Sequence, residues 1–127
     1  MRTRDPLEPF RFAVSGLWYA LRTQWSMRIH LGVASAVGVL GLWLGLPADQ
    51  WAVLALTIGL VLLCEMINTM GEKLVDLVCP DYHPFAKTVK DVMAGAVLLA
   101  AIISVIVGLL ILGPPLWGKL MGRRVGH

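Results

Sequence analysis

Hydrophobic positions along this chain fall into three long runs, and the breaks between them fix the expected elements. Ile29 to Leu46 is an 18-residue stretch with no charged residue beyond a histidine near its start, long enough to span the hydrocarbon core as a helix. Trp51 to Leu63 continues into a more polar segment, and Val92 to Leu112 carries no charge at all. We expect three transmembrane helices over about 28–46, 50–78 and 86–112. Ahead of them, Phe10, Val14, Leu17 and Leu21 share one helical face while Arg11 and Arg22 lie to its side. Over about 8–25 this pattern predicts an amphipathic helix lying in the membrane surface, with Trp18, Tyr19 and Trp25 suited to the headgroup boundary. Leu46-Pro47-Ala48-Asp49 reads as a turn in which Asp49 caps the second span. Cys79-Pro80-Asp81-Tyr82-His83-Pro84 breaks the chain again, because each proline disfavours helix at the residue before it.

The second span carries an anomaly. Glu65, Asn68, Glu72 and Asp76 recur at three- and four-residue intervals, which at about 100° per residue places them within a sector of roughly 80°. A carboxylate in hydrocarbon costs at least a few kcal/mol, so acidic residues at such depth face a protein interior and serve chemistry or transport. Running inward, Glu65 comes about 21 Å after Trp51, and Glu72 lies about 10 Å further on. Glu65 is therefore expected to work as a proton acceptor within the membrane. Glu72, nearer water, suits a hydrated divalent cation, and Asn68 between them can orient a carboxylate or a phosphate oxygen.

Composition supports the membrane reading: 57% of the 127 residues are hydrophobic and 15% are charged, more apolar surface than a soluble domain of this size needs. The arginine-rich start lacks the apolar core of a cleavable signal peptide and is expected to remain in place. Connections between spans are too short for a second domain, so residues 1–127 are expected to form one. Arg2, Arg4, Arg11, Arg22 and Arg28 gather before the first span, and Lys73, Lys87 and Lys90 flank the loop between the second and third. The positive-inside rule then places the N-terminus and that loop in the cytoplasm, against the opposing pull of Lys119, Arg123 and Arg124. Net charge of +3 is accounted for by these interfacial residues, with no basic and aromatic interleaving of the nucleic-acid-binding kind. Cys64 and Cys79 are fifteen residues apart, about 22 Å along one helix, and cannot pair there; buried apolar thiols are expected.

Gly32, Gly38, Gly41 and Gly45 do not make a phosphate loop, since no Gly-Lys-Ser/Thr follows them. Together with Gly95, Ala96, Ala100 and Ala101 they are expected at close helix contacts, and so small an interior argues for oligomers. At the start of the third span, Lys87, Lys90 and Asp91 project within about 100° of one another, a basic and acidic pair at the level of Glu72, with Ala94 one turn deeper. A deep base, a carboxylate for magnesium and a lysine for phosphate are the parts phosphoryl transfer requires. A small proton-coupled transporter would use Glu65 but leave Lys90 and Asp91 unexplained. A structural or catalytically weak homologue is the third reading.

The segment EMINTMGEKLVDLVCPDYHPFAKTVKDVMAGAVLLAA, within a likeness running from about Phe10 to Leu112, resembles the small prokaryotic diacylglycerol kinase family. MRIHL and YHPFAK are closer to its undecaprenol kinase branch than to its proteobacterial members. The resemblance implies an all-α homotrimer of three-span subunits with N-terminal surface helices, in the bacterial inner membrane. It would phosphorylate a lipid alcohol from ATP with Mg2+, at sites shared between subunits whose mouths face the cytoplasm. Undecaprenol is the expected substrate and diacylglycerol the alternative. Carried over by position, Glu65 would be the catalytic base, Glu72 a ligand of magnesium and ATP, and Asn68 a site-organising residue. Phe12, Asp81, Tyr82 and His83 would lie beside the nucleotide, with Lys90 and Asp91 on its phosphates, base or ribose. The family's second magnesium carboxylate is Gln24 here, a neutral and weaker ligand. Ala94 offers no hydroxyl to a diacylglycerol headgroup, and Gly71, which costs on the order of 1 kcal/mol in a helix interior, would permit close backbone approach.

Overall fold

A computed structural model describes residues 5–125, with side chains through residue 122. Arg2, Arg4 and His127, and the side chains of Arg123 and Arg124, lie outside the described residues. Four helices follow one another: α1 Glu8–Thr23, α2 Trp25–Leu44, α3 Ala48–Val78 and α4 Pro84–Val125. No strand occurs among the described residues. α2, α3 and α4 are each long and apolar enough to cross a membrane, and Leu42, Leu56, Ile67, Leu77 and Leu110 stand exposed on their outer faces. The apolar surface that water would not tolerate is the surface lipid requires. This is a membrane protein.

α1 begins with Pro9 in its first turn, where the missing N–H costs nothing. It ends at Gln24, whose backbone is extended (φ −108°, ψ 115°) and whose N–H donates to the Ala20 carbonyl at 2.9 Å. Gln24 is also the residue before α2, so one residue turns the chain from the surface helix into the first span. Ala20 and Met27, on either side of this break, are both buried.

At the far end of α2, Gly45 takes the left-handed conformation (φ 67°, ψ 48°). The N–H groups of Gly45 and Leu46 both donate to the Gly41 carbonyl, at 3.0 and 3.3 Å, satisfying carbonyl acceptors that the helix end leaves over. Pro47 then precedes α3. Asp49 lies in the first turn of α3 and makes no capping hydrogen bond, contrary to the expected cap: the extended N-cap residue is Pro47, two positions earlier, which leaves Asp49 inside the helix. Its charge still suits the positive end of the helix dipole.

The apolar packing centre sits at this end of the molecule, where Leu46, Leu54 and Ile111 are buried against Val37, Leu44, Trp51, Val107 and Leu112. Gly41 belongs to it, since a Cβ there would lie 2.6 Å from the Trp51 ring. Gly32, Gly38 and Gly95, expected at helix contacts, have open space around them within the chain, and Gly45 serves the turn. Of the alanines named with them, Ala100 is buried and Ala96 is exposed.

α4 runs well past the expected end at 112, continuing through Pro114 and Pro115 to Val125. Proline interrupts helices in water by removing a donor, but a helix in or near lipid keeps its remaining internal bonds because no competing water is available. This extension carries Lys119 back to α2, where its Nζ donates to the Trp43 carbonyl at 2.6 Å and sits 4.4 Å from the centroid of the Trp43 ring. A cation on the C-terminal carbonyls of a helix is favourable, so Lys119, one of the three charges opposing the orientation rule, has a local structural reason. Gly41→Val is expected to lower stability by about 1–3 kcal/mol through overpacking against Trp51, while Gly38→Ala leaves it unchanged or raised; unfolding of the purified protein in detergent and denaturant measures both.

Candidate functional site

α3 places Glu65 and Thr69 on the side facing the other helices, where both are buried, and the Thr69 hydroxyl donates to the Glu65 carbonyl at 2.9 Å. The Glu65 carboxyl is met by the opening turns of α2. Ser26 Oγ donates to Glu65 Oε1, and His30 Nε2 lies 3.5 Å from Glu65 Oε2. Ser26 and His30 are four residues apart on one helical face. Because α2 starts immediately after the Gln24 break, its first two turns lie at the depth of Glu65. His30 also lines an apolar cavity between α2, α3 and α4, together with Val33, Leu54 and Val61.

One turn along the stripe, Asn68 is half-buried, and its Oδ1 is buried with no hydrogen-bond partner among the described residues. Such an acceptor is rare in a finished interior and marks a place for a donor or a cation. Glu72 is exposed. Asp76 is bonded across the helix pair by Lys90, with Nζ to Oδ1 at 2.5 Å, and Glu72 adds to the negative field at the Lys90 ammonium. Asp91 pairs with Lys87, one turn before it, at 2.6 Å. Lys90 and Asp91 bond different partners, because adjacent residues on a helix point about 100° apart.

Asp81, Tyr82 and His83, all exposed, line a cleft at the α3–α4 junction with Asp76, Lys87 and Lys90. His83 Nδ1 accepts the Phe85 N–H at 3.1 Å, satisfying a free donor at the start of α4. Cys79 Sγ donates to the Asp81 carbonyl at 3.3 Å. Both cysteines are free and half-buried, not fully buried as expected. Gln24 is half-buried at the α1–α2 break, Phe12 is exposed on α1, and Ala94 is exposed on α4 one turn beyond Lys90. A Cβ at Gly71 would collide with the Met93 sulfur, so the space there is taken by a side chain of α4 and not by the close backbone approach expected.

Among the described residues no three His, Cys, Asp or Glu side chains converge into a ready-made metal cage. Magnesium does not need one: it is held by one or two carboxylates, with waters and substrate phosphates supplying the rest. The oxygen donors at hand, an exposed Glu72 carboxylate and the orphaned Asn68 Oδ1 one turn deeper, fit that chemistry. Ser26 and Thr69 were not legible as site residues, and His30 read as an ordinary residue at a helix mouth. The available signal was a polar pair four residues apart opening an apolar run; that it faces Glu65 depends on a contact 39 positions away in sequence.

Three spanning helices around a buried, hydrogen-bonded carboxylate define a membrane protein built to act at bilayer depth. The profile of the prokaryotic diacylglycerol kinase family matches residues 11–112. The chain is 50% identical over 111 residues to a diacylglycerol kinase of Synechocystis sp., covering 87% of this chain and 63% of that protein. To the undecaprenol kinase of Bacillus subtilis it is 40% identical over 107 residues, 84% of this chain and 87% of that one. The diacylglycerol kinase of Escherichia coli K12 is 32% identical over 93 residues, 70% and 76% of the two chains. This chain belongs to the prokaryotic diacylglycerol kinase family, a family of membrane lipid kinases. It spans less than two thirds of the length of the Synechocystis relative.

The Gly71 contact yields a sign reversal. Gly71→Ala is expected to destabilise the protein when Met93 is present and to stabilise it by up to about 1 kcal/mol in a Met93→Ala background, where only helix propensity remains. A double-mutant cycle followed by unfolding in detergent measures this, with a coupling of about 0.5–3 kcal/mol expected and simple additivity contradicting the contact.

Proposed function

We propose that the chain transfers the γ-phosphoryl group of ATP to the primary hydroxyl of a membrane lipid alcohol, with undecaprenol as the substrate. The observation carrying this reading is the burial of Glu65 beneath the opening turns of α2, with a cleft of lysines and loop residues at the end of the same helix. In the reaction the lipid O–H bond breaks and its proton passes to Glu65. The lipid oxygen forms a bond to the γ-phosphorus as the bond to the bridging oxygen of ADP breaks. Glu65, Ser26 and His30 hold the acceptor end within the membrane. Lys90 and Lys87 neutralise phosphate charge at the cytoplasmic end, with Asp81, Tyr82 and His83 against the nucleotide, Phe12 approaching from the surface helix, and Asp91 on its polar groups.

Mg2+ would be held by Glu72, by the Gln24 amide and by substrate oxygens, with Asn68 Oδ1 organising the same face; when bound it would draw off negative charge from the transferring phosphate. A glutamine at position 24 leaves Glu72 as the one charged ligand of that set. Positioning and charge neutralisation are most of what this transfer demands, so no glycine-rich loop is required. We also propose a homotrimer in the bacterial inner membrane, with the N-terminus and the α3–α4 loop in the cytoplasm. Apolar faces left open on every span support association, and the distribution of arginines and lysines supports the orientation.

Diacylglycerol is the second reading, favoured by the name of the Synechocystis relative; Ala94, without a hydroxyl, favours the polyprenol. Purified protein in mixed micelles with MgATP, given undecaprenol and diacylglycerol side by side, is expected to phosphorylate undecaprenol the faster of the two. Faster turnover of diacylglycerol by tenfold or more, a difference of about 1.4 kcal/mol in transition-state binding, would reverse the assignment. Glu72→Gln is expected to raise the magnesium concentration needed for half-maximal rate; an unchanged magnesium titration would remove Glu72 from the metal site.

A further inference from the structure

We propose that Ser26 and His30 are positioning residues that fix which oxygen of Glu65 receives the substrate proton. This deepens the preceding reading and rests on Glu65 as the base. The terminal torsion of a glutamate is broad and nearly two-fold, so a carboxylate has no preferred presentation of its own. Glu65 obtains one from α2. Ser26 Oγ donates to Oε1, which engages one lone pair of that oxygen and makes it the less basic of the two. Oε2 is left as the accepting atom, and His30 Nε2 stands 3.5 Å from it. With Glu65 only 6% exposed, few directions of approach to Oε2 remain.

His30 is shared between the carboxylate and the apolar cavity bounded by Val33, Ala34, Leu54 and Val61. The imidazole therefore forms the polar boundary between hydrocarbon-lined space and the base. A lipid hydroxyl is amphipathic in the same sense, and a half-buried imidazole next to Oε2 is suited to hold it in line while Ser26 prevents the carboxylate from turning away. Small errors in such geometry are costly: a displacement near 1 Å lowers rates by about 10²-fold.

The test uses full-length protein in mixed micelles with undecaprenol and MgATP, comparing Ser26→Ala, Ser26→Thr, His30→Asn and Glu65→Gln, with detergent unfolding of each variant to establish that it is folded. Ser26→Ala and His30→Asn are expected to lower kcat by roughly 10- to 100-fold with KM for ATP and lipid nearly unchanged, the mark of an interaction made in the transition state. Ser26→Thr, which keeps the hydroxyl, is expected to recover most of the loss. Wild-type kcat in folded Ser26→Ala or His30→Asn, or a Ser26→Thr protein as impaired as Ser26→Ala, overturns the inference. Glu65→Gln separates the two levels: wild-type turnover there overturns the base assignment itself, whereas an inactive Glu65→Gln beside a fully active Ser26→Ala overturns the positioning role alone.

Discussion

The polar contacts between α2 and α3 are arranged around the cost of burying one carboxyl group. Glu65 lies in a helix that is otherwise apolar enough to span a bilayer, and an ionisable group at that depth is tolerated only when other protein groups replace its water. The opening turns of α2 make that replacement, with a hydroxyl on one oxygen and an imidazole beside the other. For α2 to arrive there, the surface helix must end one residue before it, and the extended backbone at Gln24 does so. The break between α1 and α2, the depth of Ser26 and the burial of Glu65 are consequently one constraint seen from three positions.

The two ends of the bundle divide the labour. At one end, packing is dry: Gly41 admits the Trp51 ring, Leu46, Leu54 and Ile111 close the centre, and Lys119 satisfies the end of α2. At the other, the helices part into a polar cleft whose lysines are held by carboxylates on the same or the neighbouring helix. Exposed ion pairs of this kind contribute little to stability, so the residues forming them are free to exchange partners. Rigid packing at the far end and exchangeable charge at the near end suit the proposed reaction, in which Glu65 would be held still while a nucleotide entered and left the cleft.

Much of the architecture was legible because it is local. Apolar runs of spanning length and the three- and four-residue spacing of Glu65, Asn68, Glu72 and Asp76 depend only on helix periodicity. The features that escaped depend on how helices pack or on the solvent. Ser26 reaches Glu65 across 39 positions, and the polar pair that opens α2 does not say which residue it faces. Lys90 turns to Asp76 and Asp91 to Lys87 because neighbouring residues diverge around the helix. α4 continues through Pro114-Pro115 where rules drawn from water would end it, and Asp49 misses the cap because Pro47 holds the N-cap position and Asp49 falls inside the first turn.

The most direct test of the account is a single-turnover measurement of γ-phosphoryl transfer to undecaprenol by Glu65→Gln, made alongside nucleotide binding on the same preparation. Removing a general base while keeping its shape is expected to leave nucleotide binding intact and slow transfer by about 10²–10⁴-fold. Transfer within a few-fold of the unmodified protein, with nucleotide equally bound, would contradict the claim that the buried carboxyl is the proton acceptor.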